Sequence, residues 1–290
     1  MFFAAAVNRW WGFPGHPPID ERIRRVAPRF QRDDYRARRY GRSLDVAVLD
    51  GLGNVVKHVR SLPREAVGRP TVQHVDFAAR LLAALPSAMA GDLREPKGAE
   101  QVVLALARGS LPREHMLTLA DLAVPAIKAQ PQKERDRFLA ELAAIVEADG
   151  RVTLREFVLF TLLKQRLREG AGLPIATRYR SIAEIPDDAV AVLSLIAWVG
   201  GEPREAFARG AAILGLSGKA PLPVAALGTA SLGAALERLR QLSPFAKPAL
   251  LKACCEAAGA QGDLSLAEAE LVRMVAATLD CPLPPLLLAA

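Results

Sequence analysis

From about residue 71 onward, the apolar positions of this 290-residue chain fall into helical stripes. Val75, Ala78, Ala79, Leu82 and Leu85 recur at the three- and four-residue spacing of one helix face, and Pro86 stops the run. A second helix is expected over 99–107, after the break at Glu95-Pro96. Pro112 suits the first turn of a third, reaching about residue 129 with Met116, Leu119, Ala120, Ala123 and Ile127 on one side. Pro125 inside that stripe predicts a kink or an early end. Pro131 opens a fourth helix, whose face Phe138, Leu139, Leu142, Ile145 and Val146 leads to Asp149-Gly150, and a fifth runs over 155–168. A Gly-, Pro- and Ser-rich break covers 171–186. Beyond it, helices are expected over 188–199, 203–214, 232–239, 244–258 and 267–279, and Pro282, Pro284 and Pro285 end the pattern.

One stretch of this pattern occurs twice. Residues 145–163 read apolar helix end, Asp-Gly turn, then Thr153-Leu154-Arg155-Glu156 opening a second apolar helix. Moving 112 positions along sets 257–275 against it, with Gly262 under Gly150, Ser265 under Thr153 and Glu268 under Glu156. A glycine in the left-handed region ends a helix, and Thr/Ser followed three residues later by Glu is a capping box, in which each residue satisfies the other's backbone N–H. The aspartate does not recur: Gln261 replaces Asp149, with Asp263 nearby. The pattern describes a duplicated helix-turn-helix unit, with units over 73–170 and 186–281 that are each of ordinary domain size.

Composition supports helices. Hydrophobic residues make 51% of the chain while aromatics make 6%, and the apolar set is mostly Leu and Ala rather than the β-branched and aromatic residues that strands enrich. An all-α fold is the expectation. The net charge of +7 is uneven, since residues 1–70 hold 14 Lys+Arg against 7 Asp+Glu and the remainder 24 against 24. Residues 32–72 carry no sustained apolar period and read as a basic, poorly ordered linker. The tract over 22–42 interleaves Phe30, Tyr35 and Tyr40 with arginines, a pattern that single-stranded nucleic acid could use. Asp33-Asp34 interrupts it, and the linker reading, with no nucleic-acid partner, is the expectation.

The chemistry-bearing residues are sparse. The four histidines, His16, His58, His74 and His115, have no second His three or four residues away, and the chain contains no H-E-x-x-H, G-x-S-x-G or P-loop. Glu114-His115 sits in the predicted third helix beside an Arg113 expected to face solvent. Glu147, Asp149 and Glu156 could approach one another where two helices meet, offering oxygen ligands to Ca²⁺ or Mg²⁺. The same residues are accounted for by a turn and a cap, and both readings stay open, with Asp149 and Glu156 as the metal candidates. Cys254 and Cys255 are neighbours and Cys281 stands apart, which suits neither a disulfide framework nor a metal knuckle. A reducing compartment, the cytoplasm, follows as the expectation. Apolar runs such as 189–199 and 286–290 are too short to span a bilayer, and the first residues lack the basic start of a signal peptide.

Two stretches carry a resemblance. Met1-Phe2-Phe3 with His16-Pro17-Pro18-Ile19-Asp20-Glu21-Arg22-Ile23-Arg24-Arg25 resembles the final segment of the catalytic domain of HtpX-like, membrane-anchored zinc metallopeptidases of the M-48 family. Ala148-Asp149-Gly150 with Glu156, and less closely Ala260-Gln261-Gly262 with Glu268, resemble the signature of TerB-like helical domains, which extend some of these peptidases. Cys281-Pro282-Leu283-Pro284-Pro285 is similar to the ending of such an extension. The resemblance implies residues 1–31 as the remnant of a catalytic domain, followed by the linker and two tandem TerB-like bundles. It also implies a non-catalytic interaction or regulatory portion whose partner is another protein or the rest of a peptidase. Zinc is implied only for a full-length relative, because the zinc-binding and general-base residues of that family precede the matching segment; no cofactor is expected in this chain. His16, Pro17, Pro18 and Arg22 are motif residues without a catalytic role. In a longer protein the chain would sit at the cytoplasmic face of the inner membrane. Two alternatives remain, an active M-48 zinc metalloendopeptidase and a stand-alone TerB-like module that responds to divalent cations.

Overall fold

Proline and capping residues set most of the helix starts. The computed structural model describes residues 87–283 apart from 112, 174, 263 and 282. His16, Pro17, Pro18, Arg22, the linker and the stripe over 75–85 therefore lie outside the described residues. Within them, α2 (Pro96–Ala107), α6 (Pro186–Val199) and α7 (Pro203–Ile213) begin on a proline, whose missing N–H would be unpaired in a first turn anyway. Helix α5 (Leu154–Leu167) begins behind Thr153 and α10 (Leu266–Thr278) behind Ser265, each with a complete capping box. The other helices are α1 (Ser87–Asp92), α3 (Met116–Lys128), α4 (Gln132–Glu147), α8 (Thr229–Leu239) and α9 (Lys247–Ala258). Among the described residues there is no strand, only a single parallel bridge between Tyr179 and Leu242. The fold is all-α.

Some boundaries differ from expectation. Helix α1 fills the interval between Pro86 and Pro96, where no helix was expected. Helix α3 starts at Met116 behind a 3₁₀ turn at Arg113–His115, and it runs through Pro125 to Lys128. Pro125 is exposed and lies in the last turn, so its ring meets solvent and costs one backbone bond rather than the rest of the helix.

In the first half α2 packs on α3, and α3 and α4 flank α5. In the second half α6 lies against α7, α8 and α9. Helices α7 and α9 approach closely at Gly210, where an added Cβ would lie 2.8 Å from the Ala253 carbonyl oxygen. The two halves meet through the duplicated helices themselves, α5 against α10. Helix α10 also touches α6, α8 and α9, and from Ala267 to Thr278 only Arg273 is not buried. That burial explains its sequence: a helix apolar on nearly every face belongs inside a core.

Candidate functional site

At the first turn, Asp149, Thr153 and Glu156 each have a local partner, and Glu147 is not drawn in with them. Gly150 has φ +70°, the left-handed conformation that ends α4, and its N–H donates to the Glu147 carbonyl at 2.9 Å. Asp149 Oδ1 accepts the Arg151 N–H at 3.0 Å, closing its own turn. Glu156 Oε2 accepts the Thr153 N–H at 2.8 Å and the Thr153 hydroxyl at 2.7 Å, while Thr153 Oγ1 accepts the Glu156 N–H at 3.2 Å. Asp149 and Glu156 thus serve two separate backbone sites. Among the described residues no group of three or more His, Cys, Asp or Glu side chains could hold a metal ion.

The second turn repeats the cap in a drier setting. Glu268 Oε2 accepts the Ser265 N–H at 2.7 Å, and Ser265 Oγ accepts the Glu268 N–H at 3.2 Å. Here, however, the glutamate is 3% exposed, and its other oxygen, Oε1, is buried without a donor. That oxygen lies against Gly200, where a Cβ would come within 2.6 Å. Burial pushes the Glu268 carboxyl up, and the hydrogen bonds from Ser265 pull it partly back. Gly262, at φ +102°, makes the turn.

Charged side chains from distant parts of the sequence join the halves. Glu270 on α10 is 1% exposed and accepts three hydrogen bonds from the Arg113 guanidinium, two from Nε at 3.3 and 3.2 Å and one from Nη2 at 2.7 Å. Arg113 therefore does not face solvent as expected; it neutralises a carboxylate in the core. Burial pushes the Glu270 carboxyl up, opposed by Arg113 and, more weakly, by Arg155. Arg273 pairs with Asp121 of α3. Gln165 of α5 donates to Glu237 Oε1 at 2.8 Å and accepts from Arg240 at 3.2 Å.

Below this network opens a cavity of about 540 Å³. Its walls are the end of α5 with the following connection (Arg166, Leu173, Ile175), the loop before α9 (Leu242, Pro244) and the end of α10 (Leu279, Asp280, Cys281). The connection is held to that loop by the Arg178 N–H donating to the Gln241 carbonyl at 2.9 Å and the Ser243 N–H to the Tyr179 carbonyl at 2.8 Å. Lys247, the first residue of α9, also lines the cavity. It is 9% exposed, and among the described residues it has neither a hydrogen-bond acceptor nor a salt-bridge partner. Burial lowers its pKa; Asp280 and Cys281 oppose that, while Arg240 and Arg168 add to it. Arg168 reaches Asp280 at 3.7 Å, Arg240 reaches Glu237 at 3.1 Å, and each keeps a buried Nε without an acceptor.

No family model, curated protein or solved structure matches this chain. Gly150 and Gly262 take positive φ, and Thr153 and Ser265 form capping boxes with Glu156 and Glu268. Cys254 and Cys255 are buried in α9, with burial pushing the Cys255 thiol up to about 12. Sequence reasoning missed Lys247, Arg168, Arg240 and the Arg113–Glu270 pair. The available signal was a lysine at a helix N-terminus, where the helix dipole disfavours a cation.

Proposed function

We propose that this chain is a non-catalytic interaction module made of two tandem TerB-like helical units, the C-terminal extension of an HtpX-like metallopeptidase. The observation that most supports the reading is the employment of the acidic side chains on the duplicated helices. Glu156 and Glu268 cap α5 and α10, and Glu270 is the counter-ion of Arg113, so these carboxylates hold the scaffold together. Zinc, the metal of that peptidase family, has no fitting ligand set among the described residues, and the sequence contains no H-E-x-x-H. No helix of the described residues is long and apolar enough to cross a membrane. The peptidase relationship itself rests on the H-P-P-x-x-x-R-I element at His16, Pro17, Pro18 and Arg22. Zinc content and casein digestion, measured on the purified chain, test the reading together. The expected result is no bound zinc and no cleavage; stoichiometric zinc with proteolysis would overturn it.

A further inference from the structure

The cavity beside α9 combines two features that point to one class of ligand. Its size lies within the range of small-molecule sites, roughly 300–1,000 Å³, and much of its wall is hydrocarbon from Leu173, Ile175, Leu242 and Leu279. Into this apolar space the fold places Lys247, nine-tenths buried and without a partner among the described residues. An ammonium group left in such a place is costly unless an anion meets it. The charged surroundings do not cancel the cost of burial: Asp280 and Cys281 raise the Lys247 pKa, Arg240 and Arg168 lower it, and it stays below the ordinary lysine value. Lys247 is also the first residue of its helix, where the backbone N–H groups already carry positive partial charge.

We propose that this cavity binds an apolar monocarboxylate, with the carboxylate on Lys247 and the hydrocarbon body along Leu173, Ile175, Leu242 and Leu279. A single negative charge fits better than a phosphate. Arg168 and Arg240 are already drawn to Asp280 and Glu237, and Arg166 on the wall is exposed to solvent, which leaves Lys247 as the buried cation without a partner among the described residues; Asp280 on the wall repels a second ligand charge. The mainly apolar wall offers a phosphate little, whereas it takes a hydrocarbon chain out of water. The inference is independent of the proposed relationship to a peptidase, since it uses only residues around the cavity.

Isothermal titration of the full chain near neutral pH tests it, with octanoate as the probe and octanol, octylamine and inorganic phosphate as comparisons. Saturable one-to-one binding of octanoate is expected, with none for the other three. Lys247→Met should weaken octanoate binding at least about tenfold, because truncating one partner of a buried charge pair removes its main attraction. The same variant, freed of a desolvated cation, should melt no lower than the parent. Leu173 is 66% exposed, so Leu173→Asp tests the rim without disturbing the core, and it too should weaken binding. Absence of saturable octanoate binding to the parent would overturn the proposal. So would equal binding by Lys247→Met, or phosphate or octylamine binding as tightly as octanoate. If Lys247→Met fails to fold, unchanged binding by Leu173→Asp is the overturning result.

Discussion

Arg113→Met takes away the three hydrogen bonds that Arg113 donates to Glu270 while keeping an apolar stem in place. Glu270 is 1% exposed, so water cannot replace the guanidinium. Breaking a buried ion pair by removing one partner costs about 3–5 kcal/mol. Two effects favour the low end here: Arg155 remains within electrostatic reach, and the carboxyl can escape its isolation by taking up a proton. Burial already raises the Glu270 pKa above the ordinary carboxylate range, and loss of Arg113 raises it further. With the folded pKa above the unfolded one, the native state binds more protons across that window, and its stability falls as pH rises through it. The loss relative to the parent should therefore be about 3 kcal/mol near pH 8 and clearly smaller near pH 5. Urea unfolding followed by far-ultraviolet circular dichroism at the two pH values measures both. Arg113→Met with Glu270→Leu should recover to within about 1 kcal/mol of the parent, because apolar replacement of a whole buried pair is often neutral. A loss under about 1 kcal/mol, equal at both pH values, would refute the reasoning.

Other consequences follow from the turns, the thiols and the junction. Thr153→Ala should cost about 1 kcal/mol in thermal unfolding, since Glu156 loses a cap acceptor and a hydroxyl donor together. Gly150→Ala, at φ +70°, should cost about 1–2 kcal/mol, and Gly262→Ala, at φ 102° and ψ −101°, distinctly more; equal losses would contradict the turn geometry. Iodoacetamide near neutral pH should label Cys281 ahead of Cys254 and Cys255, which are buried with raised pKa values, and mass spectrometry would read early labelling of Cys255 as a failure of that expectation. Split into 1–172 and 173–290, the chain should lose cooperative unfolding in the second piece, because α10 loses its contact with α5 and Glu270 loses Arg113. A second piece that melts like the parent would show that the halves do not depend on one another.

How far the sequence could be read depended on whether the cause was local. Pro203 acts on its own first turn, and Thr153 with Glu156 closes a bond three residues long, so the starts of α5, α7 and α10 were legible; Pro96 and Pro186 read as breaks, although they open α2 and α6 three and two residues ahead of the expected starts. Helix α1 was not legible, because a helix of six residues is too short to show a period. The start of α8 was placed three residues late and that of α9 three residues early, at ends with no side-chain cap. Arg113 reads as a solvent-facing residue until Glu270, 157 positions later, is brought beside it. Lys247 is harder still, because its burial depends on the end of α5, the connection after it and the end of α10 arriving together.

The two copies of the turn show what duplication keeps and what it releases. Glycine, Ser/Thr cap and glutamate recur because their partners lie within a few residues and travel with the segment. Their surroundings did not travel with them. Around α5 the cap glutamate stays half-buried, whereas α10 is enclosed by both halves, and the equivalent Glu268 is left with one oxygen satisfied and one pressed against Gly200. A buried unpaired oxygen costs stability, so the cap survives at Glu268 in spite of its environment rather than because of it. The same enclosure makes Glu270 depend on Arg113 and leaves Lys247 beside a cavity where the end of α10 meets α9. Fold is therefore carried by the repeated local bonds, while the groups with unspent chemistry lie where the second copy differs from the first, at the end of its central helix.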